Sequence, residues 1–251
     1  NTQTRYEAVF DLRSTASTND ISHRDFEIYL DNNTTTTQTQ LFLLDRIDGT
    51  APANIINTPL NTGLTNIADG QWHHYAVVVE KNAVNNYLTS SLYVDGYFAD
   101  MNVSNTYAAL ATWEGDSLVG PTGSTEIGAL GGYVTEAIGG GSAGTGWYKL
   151  SGSIDEFRFW QIKRDAKQIG INYFFDVGGG SNTDKAKVNK DSPLELSLYY
   201  KFNEGVAQEN NIDTVVLDYS GRDNHGVWAG YVTGSSRQSG SAITTSGVAT
   251  E

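Results

Sequence analysis

Three groups of residues could do chemistry. Asp155 and Glu156 are adjacent carboxylates inside Ser153-Ile154-Asp155-Glu156-Phe157-Arg158. His73-His74 is a pair of potential metal ligands, and Asp218-Tyr219-Ser220-Gly221-Arg222-Asp223-Asn224 is an oxygen-rich turn. A retaining glycosidase needs two carboxyl groups facing each other across the scissile bond. If Asp155 and Glu156 lie on a strand, alternation sends them to opposite faces, so they cannot form that pair. Glu156 is then expected to face Arg158, with Phe157 and Phe159 filling the core. The same alternation keeps His73 and His74 from chelating one ion, and a structural role is expected for both. Two readings of the 218–224 turn stand side by side. Asp218 caps backbone amides in an Asx-type turn, or Asp218, Asn224 and the strand end at Asp155 supply oxygens to Ca²⁺. Ca²⁺ is the one cofactor expected.

Other chemistries lack their residues. There is no cysteine, which excludes thiolate metal sites and thiol catalysis. No Gly-x-Ser-x-Gly elbow, EF-hand loop or His-Glu-x-x-His motif occurs, and no enzymatic activity is expected. Trp113, Tyr133, Trp147 and Tyr148 lie in or beside polar and glycine-rich loops. Aromatics so placed suit carbohydrate or protein binding, and equally suit sheet-edge packing. Trp72, at the head of an apolar run, is expected to anchor the core.

The elements that would position these groups are short strands. Candidates are 6–12, 26–30, 41–44, 72–80, 91–94, 97–103, 126–130, 147–150, 153–160, 196–202 and 215–219, separated by Thr/Ser/Asn/Gly stretches. Asp95-Gly96 marks a type I′ hairpin. Ala76-Val77-Val78-Val79 reads as a strand buried on both faces. Residues 50–66, with Pro52 and Pro59 as breakers, read as irregular loop, and 131–146 as a long glycine-rich loop. One helix is expected near 164–175, with Asp165 and Gln168 as a capping box and Ile169, Tyr173 and Phe174 as its apolar face. This pattern predicts an all-β, two-sheet antiparallel sandwich with one short helix. Residues 1–177 form the sandwich, 178–193 a flexible linker, and 194–251 strands that complete the sandwich or open a second copy.

The formal net charge is −13 and the pI about 4.6. Phosphate contacts need Lys and Arg, so nucleic acid and anionic membranes are not expected partners. No apolar run reaches the ~20 residues of a spanning helix. Asn1–Thr4 is polar, without the layout of a signal peptide, and the chain opens without methionine, as expected of a processed product or a fragment.

Three stretches carry a resemblance. They are Asp69-Gly70-Gln71-Trp72-His73-His74-Tyr75-Ala76 with Leu92-Tyr93-Val94-Asp95-Gly96; Leu150 to Trp160 running into the capped helix; and Leu198-Tyr199-Tyr200-Lys201-Phe202-Asn203-Glu204-Gly205 with Leu217 to Gly226. Together they resemble the laminin-G-like, concanavalin A-like lectin/glucanase superfamily, although the third stretch, which normally opens such a domain, here comes last. The resemblance implies a jelly-roll sandwich. Catalytic members of that superfamily carry Glu-x-Asp-x-(x)-Glu, whereas here Ser153 stands at the leading position and Phe157 or Arg158 at the trailing one. The run from Ile154 through Gly180 and the third stretch are also similar to virion structural proteins of marine T-even-like tailed phages. That similarity implies a virion-surface or extracellular domain that binds a glycan or cell-envelope receptor. The alternatives are a purely architectural capsid or tail component and, more remotely, a polysaccharide hydrolase. Partners would be other virion subunits, a surface receptor or further copies of the chain.

Overall fold

In a computed structural model the described residues are 5–13, 24–33, 38–47, 55–60, 69–82, 87–104, 124–127, 150–177, 196–202 and 215–227. They are mostly β, in small antiparallel sheets with one short helix, and they divide into two compact units. One unit takes residues 1–150 and 165–173; the other takes 151–164 and 174–251.

The first unit opens with β1 (Arg5–Arg13), β2 (Arg24–Asn33), β3 (Gln38–Ile47) and β4 (Ile55–Pro59). With β8 (Ser124–Ile127) they form a sheet of order β4-β3-β2-β1-β8. The expected loop over 50–66 thus contains a strand. Pro59 is tolerated because β4 ends the sheet, where a missing N–H breaks no ladder between two neighbours. A bulge between Ala8 and Phe10 shifts the pairing of β1 with β2. It brings Phe10 edge-on to Phe26, with ring centroids 6.3 Å apart. On the other face Asp11 stands directly opposite Glu27, and both are buried.

A second sheet in this unit is a meander of β5 (Tyr75–Asn82), β6 (Tyr87–Val94) and β7 (Tyr97–Ser104). Leu88, Ser90 and Leu92 alternate onto its buried face, and burying each leucine is worth about 1.5–3 kcal/mol. The 76–79 run is only half-buried, not enclosed on both faces. The Asp95-Gly96 turn has φ of +51° and +80°, as a type I′ hairpin demands.

Helix α1 (Ala166–Asn172) also belongs to the first unit. Asp165 accepts the Gln168 N–H at 2.7 Å, and the Gln168 side chain accepts the Asp165 N–H at 2.9 Å. The box closes as the spacing requires. Ile169 is buried, but Phe174 lies beyond the helix and is exposed, ring to ring with Phe175. Its exposure removes Phe174 from the expected apolar face. Asp165→Ala is expected to cost about 1 kcal/mol, read as a lower thermal midpoint with unchanged far-ultraviolet dichroism at low temperature.

The second unit is built on β9 (Phe157–Trp160) and β10 (Leu196–Tyr200), paired antiparallel. β11 (Val215–Val216) pairs with β12 (Gly226–Val227), and a bridge joins Tyr200 to Asp218. Val177, Leu196 and Tyr199 form its core, with Trp160 and Tyr219 packed against them. Among the described residues no helix is long and apolar enough to cross a membrane.

Candidate functional site

The 69–74 segment and the β6–β7 turn form one polar cluster in the first unit. Asp69 accepts the Gln71 N–H at 2.8 Å, closing a tight turn through Gly70 at φ +78°. His73 then lies between two carboxylates, with Nδ1 2.7 Å from Asp95 Oδ2 and Nε2 3.0 Å from Asp69 Oδ2. The His74 N–H donates to Asp95 Oδ1 at 2.9 Å, and the Asp95 N–H returns a bond to the His74 carbonyl. The His74 ring leans on Tyr173, which follows α1. Both histidines precede the strand that begins at Tyr75, so strand alternation does not set their orientation; His73 is held by Asp95 and Asp69, and His74 packs on Tyr173.

Aromatic side chains surround this cluster. Trp72 is 66 % exposed, which corrects the expectation of a core anchor. The strand begins only at Tyr75, so Trp72 sits in the turn, outside the sheet's packing layer. Tyr75 stands opposite Val94, and Val94 opposite Tyr97, so the two tyrosines flank one level of the sheet. Tyr97 is 78 % exposed. Exposed Trp72 adjoins His73 in sequence, and exposed Tyr97 follows the Asp95 turn; aromatics and carboxylates of these types can stack on a ring face and accept bonds from hydroxyl or amine groups.

The electrostatics follow from the geometry. Hydrogen bonds to Asp95 and then Asp69 hold the His73 imidazole above its ordinary value. The Gln71 N–H and His73 hold Asp69 below the usual carboxylate range. Desolvation opposes ionisation of Asp95, but the bonds from His73 and His74 outweigh it and that carboxyl is lowered too.

In the second unit, Glu156 is not part of the strand. Its φ is +53°, and β9 starts one residue later. Strand alternation therefore does not set the orientation of Asp155 and Glu156. Instead the Asp155 carboxylate accepts the Glu156 N–H. The Glu156 carboxylate accepts the Tyr199 hydroxyl and, at 2.8 Å, Arg158 Nη2, as the spacing of Glu156 and Arg158 anticipates. Arg158 also donates to the Phe175 carbonyl, so it fixes the chain beyond α1. Desolvation, then the bond to Glu156, pushes the fully buried Tyr199 phenol up, so it is held protonated as a donor. Phe157 and Phe159 are half-buried. Partial desolvation also raises the Asp155 carboxyl, with the charges of Glu156 and Asp176 adding to it.

No protein-family model matches the chain, and no curated protein or solved structure matches it.

Asp218 and Asn224 do come together. Asp218 Oδ1 accepts the N–H groups of Tyr199 at 3.0 Å and Ser220 at 2.8 Å; Oδ2 accepts the Ser220 hydroxyl at 2.7 Å and the Asn224 N–H at 3.1 Å. The Asn224 side chain donates to the Ser197 carbonyl, and the Asn224 backbone carbonyl accepts the Tyr200 hydroxyl. These are hydrogen donors aimed at the carboxylate, whereas Ca²⁺ requires converging oxygen ligands. The geometry fits the turn-capping reading, and a cation at Asp218 would have to displace those four donors. Asp155 makes its own local bond. Among the described residues no group of three or more His, Cys, Asp or Glu gathers at metal-holding spacing.

Trp113, Tyr133, Trp147 and Tyr148, the 131–146 loop and the 178–193 linker lie outside the described residues. The cluster around His73 escapes a sequence reading because the short range of Asp69, His73 and Trp72 hides their tie to Asp95. The Asp-Gly pairs at 69–70 and 95–96 were the available signal, since each marks a turn that can present a carboxylate.

Proposed function

We propose that this chain is a concanavalin-like, jelly-roll domain that presents a binding surface on an exposed assembly such as a virion, with a glycan or cell-envelope component as ligand. The observation that carries this reading is the exposure of Trp72, Tyr75 and Tyr97 in the segments that also present Asp69 and Asp95. The carboxylates with catalytic potential support binding over bond cleavage, since Glu156 and Asp218 serve as internal acceptors. The resemblance of the Asp69–Ala76, Leu150–Trp160 and Leu198–Gly226 stretches to lectin-like domains agrees with it. Trp113, Tyr133, Trp147 and Tyr148 remain a second aromatic group for the same role.

Glycan-array binding followed by titration calorimetry tests the reading. Trp72→Ala and Tyr97→Ala are each expected to weaken binding about tenfold or more, as for aromatic hot spots. Trp147→Ala in the same assay assigns the second group. Binding unchanged in all three variants would remove both aromatic groups from the proposal.

A second, architectural reading draws on a different surface. Phe98, Met101 and Val103 are exposed on β7, and Phe98 packs edge-on to Tyr93 with ring centroids 5.7 Å apart. An apolar outer strand face suits a neighbouring subunit. In that case a Met101→Lys variant abolishes assembly and leaves glycan binding intact.

A further inference from the structure

We infer that His73 is a pH-dependent latch that ties the Asp69–Trp72 turn to Asp95 of the β6–β7 hairpin, so that Trp72 is held in place only while the imidazole is doubly protonated. This rests on the binding reading for its purpose, but not for its existence. An ionised carboxylate can only accept hydrogen bonds. His73 meets Asp95 through Nδ1 and Asp69 through Nε2. Both nitrogens must therefore donate, and the bridging species is the imidazolium.

The two contacts are not equivalent. Asp95 is held independently by the His74 N–H and sits in the hairpin turn, and its bond to His73 is the shorter at 2.7 Å. Asp69 is tied only to its own turn and is reached at 3.0 Å. On deprotonation the Nδ1–H stays on Asp95, and Nε2 becomes a lone pair facing the Asp69 carboxylate. Asp69 then keeps only the Gln71 N–H, and Trp72, which lies between Asp69 and His73, loses one of the two ties that hold its turn. The groups facing the imidazole are Asp69 in its own segment, Asp95 in the turn, and Tyr75 on β5, whose ring lies edge-on 6.1 Å away. Tyr173, beyond α1, meets the His74 ring and approaches Gly96 beside Asp95.

The sign follows from the shifts. His73 is raised above 6.5, so its contribution is complete below that value and is lost as pH climbs through the raised one. Asp69 and Asp95 are lowered below 3.8, so theirs is complete above that value and is lost as pH falls through the lowered ones. The latch is closed between those limits and opens by loss of the imidazolium proton as pH climbs through the raised His73 value.

The test is an NMR titration of the intact 251-residue chain from about pH 5 to about pH 10, spanning the ordinary imidazole range. It follows the His73 ring nitrogens and the Trp72 indole N–H, the latter assigned with Trp72→Phe. The expected result is a His73 midpoint above 6.5 and a Trp72 signal that shifts with the same midpoint. Asp69→Asn, at an exposed position, should lower the His73 midpoint and uncouple the Trp72 signal from it. A His73 midpoint at or below 6.5, or a Trp72 signal indifferent to it, overturns the latch. Glycan binding measured on both sides of the midpoint separates the two ideas. Binding at neither pH counts against the binding reading, while the latch is decided by the NMR titration alone.

Discussion

Replacing Asp218 by alanine is expected to lower the stability of the second unit by about 3–5 kcal/mol, because each buried donor left without an acceptor costs about 1–3 kcal/mol. Asp218 is 7 % exposed and accepts from four donors. Two of these, the N–H groups of Tyr199 and Ser220, are buried and have no route to water. The Tyr199 N–H lies on β10 and those of Ser220 and Asn224 in the following turn, so one carboxylate joins segments 19 residues apart. The Asp218 N–H is in turn fixed by His225 Nδ1, and the Tyr219 N–H donates to the Tyr199 carbonyl. Asp218→Asn should lose less, since one carbonyl oxygen can still serve the Tyr199 and Ser220 pair. The measurement is a denaturant titration followed by near-ultraviolet dichroism, which reports Tyr199 and Tyr219. Adding millimolar Ca²⁺ after EDTA is expected to leave the wild-type midpoint in place, because the carboxylate faces hydrogen donors. A Ca²⁺-dependent rise that Asp218→Asn abolishes would contradict this account of the turn.

Local signals were legible where short-range geometry alone decides the outcome. Asp165 and Gln168 close a capping box whatever surrounds them, and Asp95-Gly96 forms its turn because both residues accept positive φ. What depends on distant partners was not legible. Trp72 looks like a core residue by type, yet its exposure follows from the Asp69 turn and the His73 bridge, which require Asp95 22 residues on from His73. Glu156 looks like a strand residue until its left-handed backbone is seen, and that conformation is held by Arg158 and by Tyr199 43 residues away. The β4 strand is hidden by Pro59, whose cost vanishes only at a sheet edge that the sequence does not announce. The opposition of Asp11 and Glu27 depends on a bulge between Ala8 and Phe10, and no periodicity count detects a bulge. The third resembling stretch supplies β10, which pairs with β9 from the second stretch.

Gly96→Ala should destabilise the first unit by about 2–4 kcal/mol, combining a left-handed backbone penalty of about 1–2 kcal/mol with steric overlap. At φ +80° an added Cβ would stand 2.5 Å from Tyr173 Cδ1 and 3.2 Å from the Gly170 Cα. The glycine is thus required twice, once by the turn and once by the close approach of the chain around α1. The two causes separate in a double-mutant cycle. Tyr173→Ala in the Gly96→Ala background should recover the steric part and leave the backbone part, giving a coupling of about 1–2 kcal/mol. A coupling near zero would mean that the backbone conformation alone makes the glycine necessary. The cycle also reaches His73. Asp95 precedes Gly96 and holds both His73 and His74, while Tyr173 supports the His74 ring. Displacing Tyr173 therefore loosens the carboxylate that holds the His73 imidazole above its ordinary value, and Gly96→Ala should lower the His73 midpoint although neither atom of the bridge has been changed. A destabilised chain whose His73 still titrates as in the wild type would place the strain in α1 alone and leave the hairpin turn rigid.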